Sequence, residues 1–380
     1  MVGDPDHDTT MLDARAAENA VPYSDRAYAP PLSTQAFIGQ KGADFAPVLS
    51  LSQDNWRDVL CRHAVIPYAI HDGIMVMAAS TYADATKAIA ALGIAARPVS
   101  VMIAPRSDIL TALSRRYASS LTHHAANGLR EAFPDSSAAT RIPHWMQFIL
   151  LATFIVFLGA LFVSPWSTIA NLWVVFIPYF TATALLRTIL IVHSMGRPAP
   201  RPPRRKRTPI VSILIPVYGE AESLPALVHA LCALDYPVRA LDILILLEAD
   251  DTDTIAEAQW LTAGTHINCL VVPTSAPRTK PKAMNFALPF VRGEFVGIFD
   301  AEDAPHPDQI SRAVATLDTA GDDIVCAQAR LSHYNPEDNL LTRCVAMEYA
   351  LWFDVLLAGM SRTRLPMPLG GTSLYFRGIR

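Results

Sequence analysis

"GIFDAEDAPHP", Gly297 to Pro307, is the stretch on which the reading of the fold turns. An apolar run, preceded by "GEFV", ends in Asp300, Glu302 and Asp303 and is then stopped by prolines. A short apolar run bounded by turn residues reads as a buried strand. Acids at its end suit either a hard cation or the N-terminus of a following helix, here "PDQISRAVATL". The same grammar repeats upstream. "IVSILIPVYGE" (Ile210 to Glu220) ends in Pro216, Tyr218 and Glu220, and "LDILILLEADD" (Leu241 to Asp251) ends in Glu248, Asp250 and Asp251. "INCLVVP" is a further strand, and "AESLPALVHALCAL" and "TDTIAEAQWLTA" are the intervening helices. Strands alternating with helices predict a Rossmann-like, mostly parallel α/β sheet covered on both faces. Ligands of such sheets sit at the carboxyl ends of the strands, so the acids should converge on one crevice.

Outward toward the N-terminus stand six basic residues in "GRPAPRPPRRKRT", Arg197, Arg201, Arg204, Arg205, Lys206 and Arg207. Two apolar runs precede them: "WMQFILLATFIVFLGALFV" from Trp145 and "TIANLWVVFIPYFTATALLRTILIVH" from Thr168. Each is long enough to cross a bilayer and apolar around its whole circumference, which predicts a transmembrane hairpin at 144–194. Pro178 is tolerated there, and Arg187 can snorkel. The basic block at 195–208 places that end in the cytoplasm, and two spans return the chain to the same side. Both flanking soluble domains are therefore expected to be cytosolic, in a multi-pass protein of a bacterial-type inner membrane.

Residues 1–45 are polar and proline-bearing, with too little apolar surface to offset chain entropy, and read as a disordered tail. Residues 46–120 read as a small α+β domain. It comprises a helix over "DNWRDVLCRHA", two strands around His71-Asp72-Gly73, a helix closed by Gly93, a strand over "RPVSVMIAP" and a helix from Arg106. His63 and His71 have no second ligand at helical spacing, so no metal is assigned to them. Residues 121–143 read as a polar linker. The net charge of -4 gives no pull toward nucleic acid, and no GxxxxGK[ST] phosphate loop occurs. Five scattered cysteines without a CxxC pair argue for reduced thiols, and no apolar leader opens the chain.

"PVYGE", "EADDTDT", "KPKAMN" and "DAED", in that order, resemble a family 2 glycosyltransferase of the GT-A fold, with membrane polysaccharide synthases such as bacterial cellulose synthase as kin. The resemblance covers 209–380. It implies an inverting transfer of a sugar from a nucleotide-sugar donor, by default a UDP-sugar, to a growing glycan. It also implies Mg2+ or Mn2+ held where Asp300 and Glu302 stand in place of an Asp-X-Asp motif. Glu302 departs from the second Asp, and Asp303 could be the working ligand instead. By the same resemblance Pro216, Tyr218 and Glu220 seat the nucleoside, with Glu248 or Asp250 as its acid contact. Lys282, the lysine before Ala-X-Asn in a segment that also offers Lys280 and Asn285, contacts the donor phosphates, with Asn285 among the donor-site residues and Arg278 able to assist. Gly370, Gly371, Thr372 and Ser373 of "PLGGTSLYFR" form the loop beneath the acceptor and diphosphate, where glycine permits close backbone approach.

The family's general-base and acceptor-end motifs have no counterpart before Arg380, so no catalytic residue is assigned and the transferase domain is expected to be incomplete at its C-terminus. The alternative is a non-catalytic membrane module that binds a sugar nucleotide or acts as a scaffold. The order of elements in 46–120 resembles the N-terminal domain of type II secretion ATPases, which implies a protein partner. The Arg-Leu-Gly motif with which some of those domains bind cyclic di-GMP is absent.

Overall fold

The structure, a computed structural model, describes residues 54–137, 142–195, 207–321, 324–333 and 335–378. The segment read as a disordered tail and most of the basic block lie outside the described residues.

The first described domain contains α1 (Arg57–His63), β1 (Val65–His71), β2 (Ile74–Ala79), α2 (Tyr82–Ala91), β3 (Val99–Ile103), α3 (Arg106–Arg116) and α4 (Ala118–Ala132). β1 and β2 form the expected hairpin. Asp72 and Gly73 both take positive φ (50° and 76°), the geometry that matches the right-handed twist of the strands. β3 joins β2 in parallel. The stretch from residue 121 differs from the expected linker, because α4 runs through it to Ala132. Its buried positions, Leu121, Ala125 and Gly128, recur at helical spacing, and α4 packs against the second half of the chain. With small residues at two of those three positions, the stripe is faint in the sequence.

α5 (His144–Val163) and α6 (Pro165–Ser194) follow, with no side chain of α5 buried. Together with Leu340–Thr363 they are the three helices among the described residues long and apolar enough to cross a membrane.

The second domain holds β4 (Val211–Val217), α7 (Leu224–Cys232), β5 (Leu241–Glu248), α8 (Thr252–Thr262), β6 (Ile267–Val272), α9 (Lys280–Ala287), β7 (Phe295–Ile298), α10 (Gln309–Thr319), β8 (Cys326–Gln328), α11 (Leu340–Ala350), α12 (Leu357–Thr363) and β9 (Leu374–Arg377). The strand order is β6-β5-β4-β7-β9-β8. β6, β5, β4 and β7 run parallel, and β9 lies antiparallel between β7 and β8. Every residue of β5 is buried, as a central strand covered on both faces requires. Ile213, Ile215, Ile243, Ile245, Phe295 and Phe299 build the core under α7 and α10. The chain steps outward from β4 to β5 to β6, then returns through α9 to β7 on the other side of β4. That reversal opens a crevice at the carboxyl ends of β4 and β7.

Arg207 ties the chain arriving from α6 to this domain through Glu294 and Asp318, both at 2.6 Å. α11 and α12 form one helix, Leu340–Thr363, interrupted by a π-turn over Leu351–Leu356. Gly359 lies against the backbone of Leu190 so closely that a Cβ would clash. Arg362 Nη1 donates to the carbonyls of His193 (2.5 Å) and Ser194 (2.7 Å), capping the C-terminus of α6.

Candidate active site

The crevice is built from strand ends. After β4 the chain turns at Gly219, whose φ of +67° favours glycine, and leaves Tyr218 and Glu220 exposed. The Gly219 N–H donates to Asp251 Oδ2 (2.6 Å), and Asp251 also accepts from Thr254 N (3.3 Å) as the N-cap of α8. One carboxylate thus fixes the loop after β4 to the loop after β5. Burial pushes the Asp251 pKa up, but the Gly219 and Thr254 donors outweigh it and hold it below the ordinary carboxylate value. Asp250 pairs with Arg278 (2.7 Å) at the rim. Pro216 stays within β4, opposite Leu246 in the ladder.

The two lysines of α9 have different jobs. Lys282 is 2% exposed and pairs with Glu248 at 2.9 Å, with the Pro273 carbonyl at 3.4 Å. Lys280 reaches the other way: its Nζ donates to Asp300 Oδ1 and to the Gly371 carbonyl (2.7 Å). The residue named from the sequence for the donor phosphates is therefore buried beneath the crevice, and its neighbour two positions earlier lines it. Asn285 lies apart, donating to the Ala125 carbonyl of α4 (3.1 Å).

The turn after β7 is held from within. Asp300 N donates to Asp303 Oδ2 (2.9 Å) and to Thr372 Oγ1 (3.1 Å), and the Thr372 hydroxyl donates to Asp303. Asp303 thereby latches the glycine-containing loop onto the acidic turn. Burial raises its pKa, opposed by the Thr372 and Asp300 donors. Ser373, at φ 53°, accepts from Gln309 (3.3 Å). Gly370 faces Gln328, and Gly371 presents its carbonyl to Lys280.

Glu220, Asp300 and Glu302 remain to share one field. The Glu220 pKa is raised by burial first, then by Glu302 and Asp300, while Lys280 opposes the rise. Among the described residues no three His, Cys, Asp or Glu side chains enclose a point as a ready-made metal cage. The donor set nevertheless suits a hard divalent cation that takes one or two carboxylates and fills its remaining positions from phosphate and water. Lys280, Asp251 and the Asp303–Thr372 latch are the contributions that sequence reading placed elsewhere or left out. Of these, only Asp251, an acid three residues before a helical Thr254, carried a local signal.

Residues 212–380 match the family described as "Glycosyl transferase family 2", and residues 51–123 match the MshEN domain. A probable glucomannan 4-beta-mannosyltransferase 1 of Arabidopsis thaliana is 31% identical over 155 residues, which are 39% of this chain and 28% of that protein. A beta-monoglucosyldiacylglycerol synthase of Nostoc sp. is 27% identical over 178 residues, 44% of this chain and 37% of that protein. The chain thus spans well under half the length of these relatives. Among solved structures, a mannosyltransferase of Pyrobaculum calidifontis, in complex with GDP-Man and Mn2+, aligns at TM-score 0.41 with 20% identity, covering 52% of this chain and 55% of that one.

Proposed function

We propose that this chain, whose residues 212–380 form a glycosyltransferase family 2 domain, binds a nucleotide-sugar donor in the crevice between β4 and β7 and transfers the sugar with inversion to a growing glycan. The observation that carries this reading is the convergence of Glu220, Asp300, Glu302 and Lys280 at the point where the strand order reverses. Tyr218 offers an aromatic face to the base, and the rim acid Asp250 is assigned to the ribose hydroxyls. Lys280 exchanges its contact with Asp300 for the donor diphosphate, which it meets as a compact point charge. Asp300 and Glu302 would hold Mg2+ or Mn2+, which when bound neutralises the charge developing on the leaving diphosphate. Asp303 keeps Asp300 and the Gly370–Ser373 loop in register. UDP is the nucleotide we assign by analogy, since a fold does not select a sugar.

The membrane arrangement follows from charge and contacts. α5 and α6 cross the bilayer, with the basic block on the cytosolic side. The helix Leu340–Thr363 lies along the membrane surface instead of crossing it, because Asp354 is tied to Arg330 (2.6 Å) and Arg362 to the end of α6. UDP titrated into the purified full chain should bind in the presence of Mn2+ and not in EDTA, and Asp300→Ala should abolish binding. Equal UDP affinity with and without the metal would overturn the assignment of Asp300 and Glu302.

A further inference from the structure

We infer that the small N-terminal domain is the prop that positions α9, and with it Lys280 and Lys282, and that Arg106 is the positioning residue that sets its seat. The significance for donor binding rests on the reading of the β4/β7 crevice given above. α9 is only eight residues long. Its first turn carries both lysines, one on Asp300 and Gly371, the other on Glu248. Ala283, Phe286 and Ala287 are buried in its body. α4 packs along α9, where Asn285 donates to the Ala125 carbonyl. α1 packs on the turn Leu288–Phe290 that directly follows α9, and α3 packs on β6. The helix is thus gripped between the sheet and the N-terminal domain.

The grip is registered by a buried charge exchange between the two domains. Arg106, the first residue of α3, reaches Asp242 of β5 at 2.8 Å; the Asp242 side chain is fully buried. Asp242 also accepts from Ser212 Oγ (2.6 Å) and faces Arg292 Nη2 (3.4 Å), and Arg292 Nη1 in turn faces Asp84 of α2 (3.7 Å). Each domain supplies one arginine and one carboxylate. Buried pairs of this kind specify geometry more than they add stability, because a displaced partner leaves a charge uncompensated. Tilting the N-terminal domain would break this exchange and release the outer face of α9 together.

Hydrogen exchange of the full chain in detergent, with and without UDP and Mn2+, tests the inference. In Arg106→Ala and in Asn285→Ala, amides of 280–287 should exchange about tenfold faster while those of β4 keep their protection, since local openings are released unit by unit. UDP affinity should fall by about tenfold, as expected for the loss of about one to two hydrogen bonds of positioning. Arg106→Lys, which keeps the charge, should recover part of both effects. If Arg106→Ala does not fold, Asn285→Ala and Arg106→Lys carry the comparison. Unchanged exchange in 280–287 in every variant would overturn the inference. Absence of metal-dependent UDP binding in the unaltered chain would overturn the donor-site reading, while the exchange data alone would still decide whether the domain positions α9.

Discussion

Replacing Lys282 by Met is the sharpest test of how the site is divided between its two lysines. Lys282 and Glu248 are 2% and 8% exposed, and their charged atoms lie 2.9 Å apart. Removing one member of a buried pair leaves the other without a counter-charge, at a cost of about 3–5 kcal/mol. A domain of this size loses roughly 2–4 °C per kcal/mol, so Lys282→Met should lower the unfolding temperature by about 6–20 °C. Replacing both partners with apolar residues of similar volume, Lys282→Met with Glu248→Leu, should recover most of that loss, because a buried pair is often worth no more than its apolar substitute. Thermal unfolding followed by tryptophan fluorescence on the detergent-solubilised full chain, read for these two variants and for Glu248→Leu alone, gives their coupling. Lys280→Met should behave in the opposite way. Its pair with Asp300 is about one-third exposed on both sides, and such a pair contributes about 0–1 kcal/mol, so stability should barely move while UDP binding is lost. If Lys282→Met instead unfolds within about 2 °C of the parent and loses UDP affinity, Lys282 is a phosphate contact and the division of labour is wrong.

Glu220 has a raised pKa, so its ionisation opposes folding: that penalty is absent below the ordinary value of 4.5 and grows as pH rises through the raised one. Glu220→Gln should therefore make the ligand-free protein relatively more stable at pH 7 than at pH 4, and Mn2+ should stabilise the parent more than the variant; parallel melting curves across that range would refute this. Asp251→Ala removes the cap of α8 and the Gly219 contact, and should cost about 1–2 kcal/mol, read as a lowered melting temperature. Because the Asp251 pKa is lowered in the fold, its contribution is present at neutral pH and disappears as pH falls through that lowered value. Gly359→Val should cost about 1–3 kcal/mol by forcing α12 off Leu190, and a cysteine pair reporting that separation would register the displacement.

The strands, the Asp72-Gly73 hairpin and the two long apolar helices α5 and α6 were legible because each rests on local chemistry: apolar runs, turn residues with positive φ, and length. The division between Lys280 and Lys282 was not. Residues two apart on a helix face different ways, so only the placement of α9 decides which lysine meets the crevice and which meets Glu248. A motif names the segment without giving its rotation. Asp303 illustrates the same limit: three acids in four residues look alike until Thr372, far along the chain, is found bonded to one of them. The seating of the N-terminal domain was invisible for a related reason. Arg106 and Asp242 are separated by 136 residues, and nothing periodic links them. α4 was read as linker because a stripe of Leu121, Ala125 and Gly128 carries too little apolar volume to stand out.

The charges of the crevice bear on how its ligands must arrive. Glu302 and Asp300 act on Glu220 with Lys280 opposing them, so carboxylates outnumber the lysine in this field. A donor diphosphate entering by itself would add further negative charge to that surplus. It would also draw Lys280 off Asp300, leaving that carboxylate unpaired. A divalent cation arriving with the diphosphate removes both difficulties, since it satisfies Asp300 as the lysine leaves and offsets the surplus of negative charge. Nucleotide and metal should therefore bind as a unit, each raising the affinity of the other by the same factor. A titration of UDP at several Mn2+ concentrations would show this as a nucleotide affinity that rises with metal and a metal affinity that rises equally with nucleotide. In Lys280→Met, where UDP binding is lost, Asp300, freed of its lysine, should take Mn2+ more tightly than in the parent, and added UDP should no longer raise that affinity.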